Sequence, residues 1–191
     1  MGLFENAVRF AAERHSGTKR KSGTLPYLLH PMEVAVIVSS MTDDEEILAA
    51  AVLHDTVEDT DTTIGELEEL FGPRVAGFVA SETENKRPEI PADLSWKIRK
   101  EESLEELRNA TDPAVKILWL GDKLSNIRAF FRAWSIVGNS LWDSFNQKDP
   151  AQQAWYYRTI DRELESLKNY EAWQEYHYMV EAIFKEVGPN E

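Results

Sequence analysis

Apolar residues recur at three- and four-residue spacing along nearly the whole chain, and that period commits it to helices. Alternating β-branched runs, which would mark strands, are absent, so the expected fold class is all-α. Leu3, Phe4, Ala7, Val8 and Ala11 share one helix face, and Gly17 follows as a stop. Residues 18–29 read as a charged loop, broken by Ser22-Gly23 and Pro26. Pro31 suits the first position of a second helix, running to about Met41. Thr42 with Glu45 makes a capping box for a third, through about Glu58, and Thr63 with Glu66 makes another that Gly72 ends. Pro73 opens a fifth helix, to about Ser81. A loop at 84–94 carries Pro88 and Pro91, and a charged helix is expected over 95–109. Asp112-Pro113 starts a long helix over 114–136, which Gly138 breaks. Asp149-Pro150 repeats that start signal, and two helices fill the remainder.

The 191 residues are expected to form a single-domain helical bundle over 1–191. A chain of this size hides about 70% of its unfolded surface. With 42% hydrophobic and 29% charged residues, it is too apolar for disorder. No apolar run approaches the roughly 18 residues of a membrane span. Glu5 and Arg9 interrupt the N-terminal apolar pattern, which rules out a signal peptide. The 21 Lys and Arg against 34 Asp and Glu give a net charge of −13, which argues against nucleic acid and anionic membranes as partners. The absence of Cys excludes disulfides, thiolate metal sites and Cys nucleophiles. A cytoplasmic enzyme or binding domain remains.

The stretch His54-Asp55-Thr56-Val57-Glu58-Asp59 holds the most chemistry. On the expected third helix, His54 and Glu58 continue the apolar stripe of Ile47, Ala50 and Ala51, with Asp55 and Asp59 about 100° beside them. Ionisable groups at the edge of an apolar face are costly to bury unless paired or bound to a cation. A metal ion explains them economically: His54 offers an imidazole nitrogen, Asp55 a hard oxygen, and the next turn is left for acid–base work. The alternative is a solvated helix end with a satisfied histidine. His30, before Pro31, stands at a helix start and reads as a cap, a packed histidine or a ligand. Asp122 lies in the most apolar helix, Ile117 to Leu124, where a carboxylate wants a strong partner. Lys123 is adjacent, but neighbours on a helix point about 100° apart and pair poorly. Asn126 lies one turn on, on the face of Asp122.

His30, then His54-Asp55, then Asp122 resembles the ligand order of the HD-domain metal-dependent phosphohydrolases. More narrowly, Arg20-Lys21-Ser22-Gly23 followed by Pro26-Tyr27 and His30-Pro31 resembles the start of the Rel/Spo-type alarmone hydrolase domain. Leu53 to Thr60 is similar to its second motif, and Gly121-Asp122-Lys123-Leu124-Ser125-Asn126 to its third. Leu141-Trp142, Phe145-Asn146 and Trp155-Tyr156-Tyr157 resemble stand-alone small alarmone hydrolases. The likeness covers about residues 5–170. Three departures stand out: Thr24 and Leu25 fill a gap where one residue is usual, Thr18 replaces a common Gln, and Gly121 a common Ala. The first bears on base or phosphate preference, because it shifts Arg20 and Lys21 relative to the ligands.

The resemblance implies an all-α fold, one Mn²⁺ ion, and hydrolysis of guanosine 3′,5′-bis(diphosphate), ppGpp or pppGpp, to GDP or GTP and pyrophosphate. It implies a hydrolase without the nucleotide-synthesising domain of the long relatives. The metal ligands would be His30, His54, Asp55 and Asp122. Glu58 is assigned as general base and Asp59 as its helper in holding the water or carrying its proton away. Arg20 and Lys21 belong to the densest basic cluster and are assigned to the substrate, a small-molecule nucleotide; a guanidinium pairs with phosphate or stacks on a base. Asn126 would bind the ribose or a phosphate oxygen, and Tyr156 or Tyr157 would pack against the nucleotide or fill the core. His15 and His177 are read as structural. Two rival readings remain: an HD phosphohydrolase of another nucleotide (an adenosine alarmone, a deoxynucleotide or the 2′-phosphate of NADPH), and a non-catalytic nucleotide-binding module. The sequence leaves the oligomeric state undetermined.

Overall fold

Among the described residues, 2–20 and 24–187, the computed structural model has ten α-helices, two short 3-10 helices and no strand beyond an isolated bridge between Lys19 and Pro26. In chain order the helices are α1 (Leu3–Arg14), α2 (Leu29–Ser39), α3 (Glu45–Leu53), α4 (Thr56–Asp59), α5 (Ile64–Phe71), α6 (Pro73–Glu82), α7 (Ala92–Asn109), α8 (Pro113–Val137), α9 (Pro150–Glu163) and α10 (Glu171–Phe184). The all-α expectation therefore holds. The helices gather into two compact units, neither of them a continuous stretch. One comprises Met1–Thr83 with Asp112–Ser125; the other comprises Glu84–Thr111 with Asn126–Glu191.

The first unit is built around α3. Its residues Ile47, Ala49, Ala50, Ala51, Val52 and Leu53 are all buried. A helix apolar on every side must be covered on every side, and α1, α2 and α6 pack against it. Its alanines keep those helices close. Gly121 performs the same service between α8 and α2. A Cβ there would lie 2.6 Å from Val38 Cγ2 and 3.2 Å from Val34 Cγ1. Only a glycine lets α8 approach α2 this closely, and this approach brings Asp122 beside the start of α2.

Several helix starts and stops follow the sequence signals. Thr63 accepts from the Glu66 amide at 3.2 Å, and Gly72 ends α5 at φ +90°. Asp112 and Asp149 cap α8 and α9 by accepting from Ala114 and Ala151, each at 2.9 Å. Others differ. The α3 cap is Asp44, which accepts from Glu46, rather than Thr42 paired with Glu45; Thr42 instead accepts from Asp44 at 3.1 Å. Helix α2 begins at Leu29, so Pro31 sits inside its first turn, where its missing N–H costs nothing. Helix α7 begins earlier than expected, at Ala92 behind Pro91.

The largest difference is in the third helix, which ends at Leu53 rather than Glu58. Two side chains take carbonyls that the helix ladder would use. The Thr56 hydroxyl donates to Leu53 O at 2.7 Å, and His54 Nδ1 bonds Ala51 O at 2.8 Å. Such local bonds compete with helix propagation. The chain turns at His54-Asp55 and resumes as α4. His54 and Glu58 therefore do not share one continuous stripe.

In the second unit α9 packs against α7 and α10. Its core is aromatic: Trp142 and Tyr157 both stack on Phe184, and Phe130 meets Trp142 and Tyr157 edge-on.

Gly121→Ala should destabilise the protein. Overpacking costs about 1–3 kcal/mol and better helix propensity returns about 1 kcal/mol, leaving a net loss of about 1 kcal/mol in urea unfolding. The same substitution should cost less in a Val38→Ala background, because Val38 supplies the closest contact.

Candidate metal centre

His30, His54 and Asp122 come from α2, the turn after α3, and α8. They offer one ligand atom each within 4.8 Å of one another, and all three are buried. Asp55 joins them. His54 Nε2 lies 3.0 Å from Asp55 Oδ2 and 3.6 Å from Asp122 Oδ1; His30 Nε2 lies 3.1 Å from Asp122 Oδ1 and 3.5 Å from Asp55 Oδ2. The four presumed ligands thus converge, although they lie on separate segments of the chain.

The opposite edges of both rings are committed. Ala51 O can only accept, so His54 Nδ1 carries a proton and donates it. His30 Nδ1 lies 2.9 Å from Ser125 Oγ, and that hydroxyl donates to Glu33 Oε2 at 2.8 Å. The serine proton being used there, His30 Nδ1 is the donor to Ser125. In a neutral imidazole the remaining nitrogen then has a lone pair. Two Nε2 lone pairs and two carboxylate oxygens face one another in a buried space. His54 Nε2 makes no hydrogen bond despite its close oxygen neighbours. This donor set suits a divalent cation, with the outer hydrogen bonds fixing the tautomers.

Without a cation the electrostatics are those of charges seeking a counter-charge. Burial alone would lower the His54 imidazole, but Asp55 and Asp122 hold it well above its ordinary value. Burial would raise Asp55, and the His54 imidazole outweighs it, so Asp55 stays below the carboxylate range. Asp122 is likewise held well below that range: burial opposes, and the Lys123 ammonium and both imidazoles prevail.

Lys123 corrects a sequence expectation. Although adjacent on α8, its ammonium pairs with Asp122 Oδ2 at 2.5 Å, and it also lies 3.7 Å from Glu82 Oε2 at the end of α6. Burial shuts out the water that would otherwise separate them; the Glu82 side chain is 3% exposed. The contact leaves Asp122 Oδ1 for the imidazoles.

The other anticipated residues are placed as follows. Glu58 and Asp59 lie in α4 directly after Asp55, half-buried and exposed. Arg20 is half-buried, its amide bonded to Leu25 O at 3.1 Å. Lys21 lies outside the described residues. Asn126 follows Ser125 on α8, and Tyr156 is a buried ring of the second unit, edge-on to Trp96 and under the Lys100 ammonium. His15 is buried and its imidazole is lowered by that burial. His177 pairs with Asp161 at 2.8 Å. Residue types and spacing did not single out Tyr27, Ser125, Glu33 or Glu82. Only Ser125, one turn beyond Asp122, and Tyr27, three residues before His30, carried a positional signal.

Comparison with known proteins gives the same region of the chain. The family model described as HD domain matches residues 7–136. The guanosine-3′,5′-bis(diphosphate) 3′-pyrophosphohydrolase of Aquifex aeolicus is 40% identical over 127 residues, 66% of this chain and 18% of that protein. The enzyme of the same name from Danio rerio is 42% identical over 125 residues, 63% of this chain and 65% of that protein. The chain thus spans less than a fifth of the Aquifex relative. Among solved structures, a metazoan ortholog of SpoT that hydrolyzes ppGpp superposes with a TM-score of 0.70 at 27% identity, covering 98% of this chain and 97% of its own. The protein lmo0812 of Listeria monocytogenes also gives 0.70, at 36% identity, covering 82% and 99%.

The Glu82–Lys123 pair gives the protein a pH signature. Burial pushes the Glu82 carboxyl from its ordinary 4.5 up to about 8, against the pull of Lys123. Between those values the folded protein binds more protons at this group than the unfolded chain does. Its contribution to stability is present below the lower value and is lost as pH rises through the upper one. Glu82→Gln removes the group, so the variant's melting temperature should fall less than the wild type's over that window.

Proposed function

The chain belongs to the HD-domain family, and from that premise we propose that it hydrolyses guanosine 3′,5′-bis(diphosphate) with the aid of one Mn²⁺ ion. The convergence of two imidazole Nε2 atoms and two carboxylate oxygens, with both Nδ1 edges already bonded, carries the reading. The names of the Aquifex and Danio relatives support the choice of substrate.

His30, His54, Asp55 and Asp122 would hold the ion. Two carboxylates nearly neutralise a divalent cation, and the mixed nitrogen and oxygen set favours Mn²⁺ over Mg²⁺ or Ca²⁺. When bound, the ion draws charge from the phosphate oxygens and makes water a better nucleophile. Glu58 takes a proton from the attacking water, and Asp59 orients that water or passes its proton on. A bond forms between the water oxygen and the phosphorus attached to the ribose 3′ oxygen, and the bond from that phosphorus to the 3′ oxygen breaks. The 3′ oxygen takes up a proton, and the products are pyrophosphate and GDP, or GTP where the substrate carries a 5′-triphosphate. Arg20 and Lys21 bind the base or phosphates and Asn126 the ribose or a phosphate oxygen, while the Tyr156 ring, buried against Trp96, fills the core.

Metal-stripped protein should be inactive, and Mn²⁺ should restore turnover better than Mg²⁺ or Ca²⁺. Product analysis on a panel of ppGpp, its adenosine counterpart, NADPH and deoxynucleoside triphosphates should show hydrolysis fastest with ppGpp. Full turnover after metal removal would overturn the ligand assignment, and a preference for another nucleotide would overturn the substrate.

Glu58→Gln keeps size and reach but removes the proton acceptor. Single-turnover rates should drop by ~10²–10⁴-fold, with Mn²⁺ content unchanged. A variant that hydrolyses at the wild-type rate would move the role to Asp59.

A further inference from the structure

The basic loop and the candidate metal centre meet at Tyr27. Backbone hydrogen bonds fix the path between them: Thr18 N donates to His15 O at 3.0 Å, Tyr27 N to Thr18 O at 2.9 Å, and His30 N to Tyr27 O at 2.9 Å. The bridge between Lys19 and Pro26 closes the neck of the loop. The Tyr27 ring lies between two imidazoles, with centroids 4.9 Å from His15 and 6.0 Å from His30. Its hydroxyl donates to Asp55 Oδ2 at 2.5 Å.

Asp55 needs an external restraint. It sits in the turn between α3 and α4, with its side chain 20% exposed and no capping bond to the α4 backbone. No amide of α4 therefore holds its carboxylate against rotation. The Tyr27 proton opposes that rotation by holding Oδ2, the oxygen that faces both Nε2 atoms. His15 contributes as a packed ring: it is 3% exposed, and neither of its nitrogens makes a hydrogen bond within the protein.

We propose that Tyr27 is a positioning residue that sets Asp55 for metal binding, and that the buried His15 ring acts through it by fixing the tyrosine. This rests on the metal reading above. Outer hydrogen bonds to metal ligands typically govern affinity by about 10–100-fold. The Tyr27 side chain thereby ties the loop that carries Arg20 to Asp55.

Calorimetric titration of Mn²⁺ into metal-stripped wild type, Tyr27→Phe, His15→Ala and the double variant tests this, alongside thermal melts. Tyr27→Phe keeps the ring, so it should melt like the wild type and bind Mn²⁺ about tenfold or more weakly. His15→Ala should also weaken binding, yet cost no further affinity in the Tyr27→Phe background, because its effect passes through the hydroxyl. Wild-type affinity in Tyr27→Phe would overturn the proposal while leaving the metal reading intact. Losses that simply add would overturn the link from His15. A wild-type protein that binds no Mn²⁺ would overturn the metal reading itself, and the proposal with it. Tyr27→Phe alone decides the role of the hydroxyl, whatever His15→Ala does to folding.

Discussion

Two carboxylate oxygens and two imidazole nitrogens cannot share a buried space without something positive between them. Their oxygen–nitrogen separations run from 3.0 to 3.6 Å, and water is too far removed to dilute the repulsion of like charges or lone pairs. A proton is one remedy, which is why His54 is held well above its ordinary value in the metal-free protein. A divalent cation is the stronger remedy, since it satisfies all the donors together. A cation bound here would therefore displace the proton from His54.

The surrounding fold is arranged to make this costly cluster unavoidable. Helix α3, buried from Ala49 to Leu53, delivers His54 from the interior, and the glycine contact between α8 and α2 brings Asp122 to His30. Ser125 and Glu33 then hold the His30 ring by its far edge. His30, His54 and Asp122 are placed by packing that would be favourable without any ion. The energy of burial thus supports a geometry that is electrostatically unfavourable when metal-free, as is usual for pre-organised sites.

Much of this was legible in the sequence. The helical period, the Thr63, Asp112 and Asp149 caps and the Gly72 stop are local, and local signals survive folding. His54-Asp55 and Asp122 were visible because charges within apolar stretches ask for a partner. The break after Leu53 was not visible: it depends on His54 Nδ1 and the Thr56 hydroxyl choosing backbone carbonyls over solvent, which periodicity does not encode. Glu82 was missed for a related reason. Its sequence neighbours look like any helix end, and only the fold sets it 3.7 Å from Lys123 and buries both. The Asp122–Lys123 pair was underrated because helix geometry disfavours neighbours in water; burial reverses that preference.

The proposed substrate is a polyanion and the chain carries −13, yet the two are compatible at the scale that matters. Exposed charges farther apart than about 8–10 Å are largely screened at physiological salt. Global charge therefore sets solubility and discourages long nucleic acids, while the groups within one screening length govern a small nucleotide. Near the ligands the balance is different. Lys123 pairs with Asp122, and a divalent cation would offset the negative charge that Asp55 and Asp122 retain. Tyr27 joins the neck of the basic loop to Asp55, so the local arrangement of charge is set by the fold and not by the net charge of the chain.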